Sequence, residues 1–177
     1  MHDRESKAAQ YRCIFSDAEI LNTSYVLAVL LGGSIAGALD IAFAISFAAY
    51  GGVAPVRLLQ TVASGLLGME AFSGGVPVAV LGLALHFGMS FLWAGLFLVL
   101  ASLVPSLVRY PVASGIAFGI MVFIAMRFVV LPLSAFPYPA SFKPLATILN
   151  LLSHALLFGV PIAWAARRAL IAVSSVT

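Results

Sequence analysis

Five polar or ionisable side chains interrupt stretches of sequence that are otherwise apolar: Asp40, His86, Arg127, Asn150 and His154. A carboxylate and a guanidinium form an ion pair or hold a charged solute. Imidazoles relay protons or act as axial ligands of haem iron. Charges inside long apolar stretches are costly and usually face a partner or a water-filled space. These residues are therefore the candidates for chemistry, and their roles depend on the elements that carry them.

The composition of the 177-residue chain assigns its apolar stretches to a membrane. Hydrophobic residues make up 63% of the chain, charged residues only 8%, and the mean hydropathy is +1.13. In soluble proteins about a quarter of all residues are charged. A soluble fold of this size cannot bury so much apolar side chain. We expect one domain whose main solvent is the lipid bilayer.

Four stretches are long and apolar enough to cross a bilayer, which takes about 20 helical residues. They are residues 25–50, 76–104, 112–133 and 144–167. Each must be helical because backbone groups cannot remain unpaired in lipid. The sequence predicts an all-α polytopic fold: a cytoplasmic N-terminal segment over 1–23, a single four-helix domain over 24–170, and a short C-terminal tail over 171–177.

A fifth segment, residues 55–68, is too short to span a bilayer. Leucines and valines share one side of it, against polar residues on the other, which predicts a short amphipathic helix at the membrane interface or dipping inward. We expect residues 55–75 to roof the polar cluster, with Arg57, Gln60 and Glu70 at its entrance.

The basic residues outside the spans predict the orientation. The N-terminal segment has three, Arg109 adds one, and Arg167 with Arg168 brings that side to six, whereas the opposite side has only Arg57 and Lys143. Cytoplasmic loops carry the excess of basic residues, so both termini are expected in the cytoplasm. No basic stripe is present, and we do not expect nucleic-acid binding.

The ionisable residues of the spans fall at similar depths. Asp40, His86 and His154 each lie ten residues from the outer end of their span, or about 15 Å at a rise of 1.5 Å per residue. Arg127 lies six residues from its end, or about 9 Å. This predicts a polar cluster inside the bundle, in which Arg127 is the candidate partner of opposite charge for Asp40.

Two pairs of glycines predict close helix packing: Gly33 with Gly37, and Gly115 with Gly119. Small residues at this spacing let membrane helices approach closely. Because four helices leave little room for a pore in one protomer, we expect these faces to serve as seams of a homo-oligomer or of a complex with another membrane protein.

Several interpretations of the cluster remain open. Asp40 and Arg127 would form an ion-coupling or substrate site, or a structural pair that fixes helix register. His86 and His154 would be hydrogen-bonded packing residues, proton relays, or axial ligands of haem b. The nucleotide, zinc-protease and serine-hydrolase motifs GxxxxGKS, HExxH and GxSxG do not occur, and Cys13 is the only cysteine. We therefore expect neither an enzyme nor a metal site.

Four short stretches carry a family resemblance: "HFGMSF", "LVPSLVRYPVASGIAFG", "VVLPLSAFP" and "LLSHALLFGVPIAWAARR". They resemble the YagU-like family of small bacterial inner-membrane proteins, and "GGSIAGALD" is similar to the first helix of that family. The resemblance implies a four-helix protein of the bacterial inner membrane with cytoplasmic ends. It carries over no catalytic residue and no substrate.

Three functions follow from these patterns. The first is binding or conduction of a small polar solute or proton through the intramembrane cluster. The second is a structural or accessory membrane subunit. The third is a haem b-binding electron-transfer protein.

Overall fold

The computed structural model describes residues 2–139 and 143–174, with side chains over 23–139 and 143–172. Its elements, in chain order, are α1 (His2–Tyr50), α2 (Pro55–Leu67), a 3₁₀ turn (Gly68–Phe72), α3 (Gly75–Leu103), α4 (Ser106–Arg109), α5 (Pro111–Ala125), a π-helical segment (Met126–Val130), α6 (Leu131–Leu133), α7 (Pro144–Leu152), a second π-helical segment (Ser153–Gly159) and α8 (Val160–Ser174). No strand occurs in the described residues. The predicted all-α fold is confirmed.

Four helical stretches are long and apolar enough to cross a membrane, as predicted. Span one is Thr23–Tyr50, span two Gly75–Leu103, span three Pro111–Leu133 and span four Pro144–Ala172. These features define a multi-pass membrane protein.

At both ends of the chain, the helices extend past the predicted boundaries of the four-helix domain. The helix of span one begins at His2, so the predicted segment 1–23 is continuous with that span. The predicted tail 171–177 belongs to α8 as far as Ser174. Residues 175–177 lie outside the described part of the chain.

Proline and glycine set the helix boundaries. Pro55, Pro111 and Pro144 stand at the first position of α2, α5 and α7. A missing N–H group costs no helical hydrogen bond there. Gly52 and Gly75 have φ angles of 79° and 60°, which residues with a β-carbon rarely adopt. The chain therefore turns sharply before α2 and before α3.

The hydrophobic core occupies one half of the bundle, which we call the packed half. Its largest members are Phe97, Phe118, Val122, Phe158 and Ile162, and Ala36 adds a contribution from span one. The rings of Phe97 and Phe118 lie 4.8 Å apart and nearly edge to face. All four spans thus meet in a close-packed apolar core.

Spans one and two meet at the first predicted glycine pair. A β-carbon on Gly33 would lie 3.3 Å from the α-carbon of Phe91, and one on Gly37 would lie 3.0 Å from the ring of Phe87. These distances leave no room for a larger side chain.

Spans three and four meet at the second pair. A β-carbon on Gly119 would overlap the carbonyl group of His154, and one on Gly115 would lie 2.7 Å from the α-carbon of Val160. All four predicted packing glycines are therefore used within the protomer. The expectation that they form seams between protomers is corrected, because their faces are already covered.

Candidate functional site

A cavity of about 690 Å³ lies between the four spans and α2. Its wall includes all five polar residues singled out in the sequence: Asp40, His86, Arg127, Asn150 and His154. Each span contributes at least one of them. Asn150 is the most exposed of the five, whereas Asp40 is buried. The fold thus brings these residues to one place, which we call the polar cavity.

Asp40 joins spans one and four. Its Oδ1 atom accepts a hydrogen bond of 2.7 Å from the hydroxyl group of Ser153. The same oxygen lies 3.5 Å from Nδ1 of His154. Ser153 was missed in the sequence, where the only signal was a small polar residue beside a histidine inside a span.

The partner of Asp40 differs from the predicted one. Among the described residues its polar contacts are made with Ser153 and His154, not with Arg127. Arg127 lines the same cavity, and its Nε and Nη2 atoms are buried. It stands four residues beyond Phe123, whose ring lies 5.8 Å from that of His154.

The hydrogen bonds of His154 define its tautomer. Its Nδ1 atom lies 3.0 Å from the carbonyl oxygen of Asn150, which only accepts hydrogen bonds. Nδ1 therefore carries the hydrogen atom, and Nε2 is the acceptor in the neutral ring.

Both π-helical segments coincide with the polar cavity. One contains Arg127, and the other begins with Ser153 and His154. Adjacent residues of an α-helix point about 100° apart, yet Ser153 and His154 both contact Asp40. π-helical turns are rare in proteins overall, and those that occur are frequently found at functional sites. The geometry of span four departs from the regular helix where its polar residues are needed.

His86 ties span two to span one. Its Nε2 atom lies 2.9 Å from the carbonyl oxygen of Gly37 and must donate to it. One turn further along, the hydroxyl group of Ser90 donates to the carbonyl oxygen of Gly33 at 2.6 Å. The missing side chains of the two glycines let both donors reach the backbone of span one. This contact agrees with the packing interpretation of His86.

The arrangement does not suit a haem held by both histidines. Haem iron takes the lone pair of a ring nitrogen, whereas Nε2 of His86 carries the hydrogen atom that it donates to Gly37. A haem bound through Nε2 would require His86 to give up this bond. Within 2–139 and 143–174, no group of three or more His, Cys, Asp or Glu side chains is arranged to hold a metal ion.

The roof of the cavity consists of α2 and the loop after span three. Five residues of α2 line the cavity with the spacing of one helix face: Leu58, Thr61, Val62, Gly65 and Leu66. The loop adds Ser134, Phe136, Tyr138 and Pro139. The amide of Ala135 donates to the carbonyl oxygen of Gly65 at 2.9 Å and joins the two parts. The amphipathic pattern of residues 55–68 predicted the position of α2, whereas no sequence pattern indicated that the loop lines the cavity.

The three predicted entrance residues do not line the cavity. Arg57 stacks 3.9 Å over the ring of Phe72 and donates to its carbonyl oxygen. Gln60 is buried and donates to the carbonyl oxygen of Gly75 at 3.0 Å. Glu70 is exposed. This prediction is wrong because α2 turns its mostly apolar face to the cavity and fastens its polar face to the following turn.

A close contact holds α2 against span two. A β-carbon on Gly82 would overlap the carbonyl group of Leu59. Ala63 and Ser64 of α2 are fully buried. The roof is therefore packed against the bundle and is not a loosely attached surface helix.

Apolar side chains close the cavity toward the packed half. Phe123 lines the cavity, and its neighbour Val122 belongs to the core. The ring of Phe158, which is 4% exposed, lies 5.9 Å from that of His154 on the core side. The polar cavity thus ends on a tightly packed apolar floor.

Comparison with known proteins adds no assignment to this geometry. No family model, curated protein or solved structure matches the chain. The class that the fold and the site define is a multi-pass helical membrane protein with a polar cavity among its spans. Any function more specific than this rests on the geometry of the cavity.

Proposed function

We propose that this protein binds a small polar solute in the polar cavity, within its membrane-spanning bundle. One observation carries the proposal: Asp40, Arg127 and His154, from three different spans, line one cavity of about 690 Å³. Charges at such depth are costly and normally mark substrate or ion sites. A pair that only fixed helix register would need no such space.

The cluster retains hydrogen-bonding capacity toward the cavity. Oδ1 of Asp40 is used by Ser153 and His154, while Oδ2 has no partner among the described residues and is not buried. The same holds for Nε2 of His154. These atoms offer two acceptors to a solute, and Arg127 places a cationic side chain on the same wall.

Binding agrees with the geometry better than open conduction does. Apolar rings, those of Phe158 and of the Phe97–Phe118 pair, form the floor on the side of the packed half. Conduction of a solute or proton would require this floor to rearrange. We therefore place binding first and treat flux as a further step.

The proposal includes an orientation and a location. With both termini in the cytoplasm of the bacterial inner membrane, the cavity belongs to the outer half of the bilayer. Membership in the YagU-like family is part of the same proposal. A C-terminal fusion to green fluorescent protein should fluoresce, and the same fusion to alkaline phosphatase should be inactive. The opposite result would reverse the orientation.

A structural or accessory subunit is the second candidate. The bonds from Ser153 to Asp40 and from His86 to the Gly37 carbonyl join neighbouring spans. If these bonds were the whole role of the cluster, substitutions would lower stability and change nothing else.

Thiol labelling in proteoliposomes tests the proposal. Thr61→Cys in a Cys13→Ser background places a thiol on the cavity wall, and methanethiosulfonate ethylammonium is the reagent. We expect labelling, slowed about tenfold by at least one of four probes: leucine, propionate, ethylamine or glucose. A contact to a charged group is worth about this factor. Asp40→Asn and Arg127→Gln should remove the effect, whereas Glu70→Gln, outside the cavity, should retain it.

A second thiol provides the control. Ser106→Cys lies in the exposed turn between spans two and three and should react equally fast with and without every probe. If the Thr61→Cys variant fails to react, or reacts at one rate with all four probes, the cavity binds no such solute. The structural subunit would then be the better description.

A further inference from the structure

We propose that a groove on the outside of the bundle, between spans one and four, binds an anionic phospholipid. The phosphate group lies at Arg168, and one acyl chain lies along the groove. No described residue lines both this groove and the polar cavity. The proposal therefore concerns a second site and does not depend on the proposed function.

The groove has a volume of about 480 Å³ and mostly apolar walls. Leu31 and Ile35 line it from span one and Trp164 from span four, and each of these side chains is about half exposed. Ala28 and Ala169 also line it and are buried. Large side chains thus form the rims of the groove, and small ones form its base. Its apolar walls suit a hydrocarbon chain.

The length and level of the groove match one leaflet of a bilayer. Ile35 stands eleven positions after Ser24, the first lining residue, or about 16 Å at the rise of a helix. Half of the hydrocarbon core is about 15 Å thick. Ser24 is the second residue of span one, and Arg168 stands four positions before Ala172, which ends span four. The groove therefore runs from the ends of two spans toward the middle of the bilayer, as an acyl chain does.

The groove is preformed because spans one and four touch beneath it. A β-carbon on Gly32 would lie 2.8 Å from the β-carbon of Ala165 and 3.6 Å from the α-carbon of Ile162. The two helices are therefore held at a fixed distance. A ligand that enters a preformed groove does not have to order the protein first.

Arg168 supplies a cation at the membrane end of the groove. Its side chain is exposed and makes no hydrogen bond or ion pair with the described residues. A guanidinium group holds a phosphate through two parallel hydrogen bonds, and long basic side chains near the ends of spans reach the headgroup level. The hydroxyl group of Ser24 and the indole N–H of Trp164, on the same groove, are further donors for phosphate or ester oxygens.

The charge at this end of the bundle favours an anionic headgroup over a zwitterionic one. Arg167 donates to the carbonyl oxygens of Val108 and Arg109, which places the turn between spans two and three beside the end of span four. The carboxylates among the described side chains, Asp40 and Glu70, lie in the polar cavity and in the turn before span two. These arginines repel the ammonium group of a zwitterionic lipid. Basic pockets between spans are typical sites for anionic headgroups.

Quenching of Trp164 by brominated lipids tests the proposal on the full chain. Bromine atoms on an acyl chain quench indole fluorescence at close contact, and Trp164 lines the groove. In dodecyl maltoside micelles, phosphatidylglycerol with dibrominated chains should reach half-maximal quenching at a concentration about tenfold lower than phosphatidylcholine with the same chains. The signal of Trp93 is measured in the Trp164→Phe variant and subtracted.

A pair of arginine substitutions separates a site from general surface charge. Arg168→Gln should raise the half-maximal concentration of phosphatidylglycerol to that of phosphatidylcholine. Arg109→Gln removes the same charge from an exposed position at the same end of the bundle, outside the groove, and should leave the tenfold difference unchanged.

Two further measurements test the role of the acyl chain. Ala28→Leu fills the base of the groove and should weaken quenching by both lipids, whereas Ala38→Leu, at an exposed position of span one outside the groove, should not. Phosphatidylglycerol without bromine should relieve the quenching, and glycerol phosphate at the same concentration should not. If Ala28→Leu fails to fold, the comparison of Arg168→Gln with Arg109→Gln decides alone.

Three outcomes would overturn the proposal. The first is half-maximal quenching at the same concentration of both lipids. The second is an equal effect of Arg168→Gln and Arg109→Gln, which would indicate attraction by the surface as a whole. The third is absence of quenching together with a disulfide between two copies of the Leu31→Cys, Cys13→Ser protein, which would assign the groove to a second copy of this chain. Each of these outcomes leaves the proposed function of the polar cavity standing.

Discussion

The same four spans build two halves of very different character. In the packed half, Phe97 and Phe118 interlock in regular helices, and Phe158 joins them from the end of a π-helical segment. In the half that holds the polar cavity, two spans widen into π-helical segments around Arg127 and His154. Lipid offers no hydrogen bonds, so each polar group there needs a partner inside the bundle or access to an enclosed space. The comparison predicts that stability resides in the packed half, whereas the proposed binding belongs to the half with the polar cavity.

Truncation of a core side chain should have the largest effect on stability. Phe97→Ala would open a void in the packed half and lower the free energy of unfolding by about 3 kcal/mol. Met89→Ala, also in span two but on the cavity wall, should cost about 1 kcal/mol or less, since space already exists there. Unfolding in mixed micelles with increasing dodecyl sulfate measures both, and equal losses would contradict the division into two halves.

A substitution in the contact between spans three and four should cause the next largest loss of unfolding free energy. Gly119→Ala places a methyl group against the carbonyl of His154, so the helices must separate, at a cost of about 2 kcal/mol. Gly88→Ala is the matched control, because a β-carbon there would meet nothing within 4 Å. Thermal unfolding of the two variants in the same detergent should differ clearly. Similar midpoints would show that the close contact is not maintained.

Removal of the Ser153 hydroxyl should have the smallest effect. A hydrogen bond between membrane helices is worth about 0.6 kcal/mol on average. We expect Ser153→Ala to lower the free energy of unfolding by about this amount and to preserve protection of the Thr61→Cys thiol, because Oδ2 of Asp40 is not involved. Loss of protection with little loss of stability would instead show that Ser153 positions the carboxylate for binding.

Helix length and residue depth were predictable because they follow from local rules. A hydrocarbon core of fixed thickness and a constant rise per residue gave the four spans and predicted a common depth for Asp40, His86 and His154, which line one cavity in the structure. Proline at the first helical position marked where α2, α5 and α7 begin. No tertiary contact was needed for these results.

Lateral arrangement was not predictable in the same way. Depth alone made Arg127 a candidate partner for Asp40, but Ser153 and His154 take that place beside a widened turn of span four. Hydrophobic periodicity assumes a regular helix and does not indicate where one departs from it. The polar face of α2 was likewise expected at the cavity, although Arg57 and Gln60 are fastened to the following turn.

By itself, the sequence determined that four helices are long and apolar enough to cross a membrane and that Asp40, His86 and His154 lie equally far from the ends of their spans. The transfer of side chains and backbone into lipid is governed by composition along the chain, which is why both results were available from it. Only the tertiary structure decided which groups touch, which glycine faces are covered, and that a cavity remains beside Asp40. Those outcomes depend on the rotation and approach of whole helices, which are set by packing between residues distant in sequence.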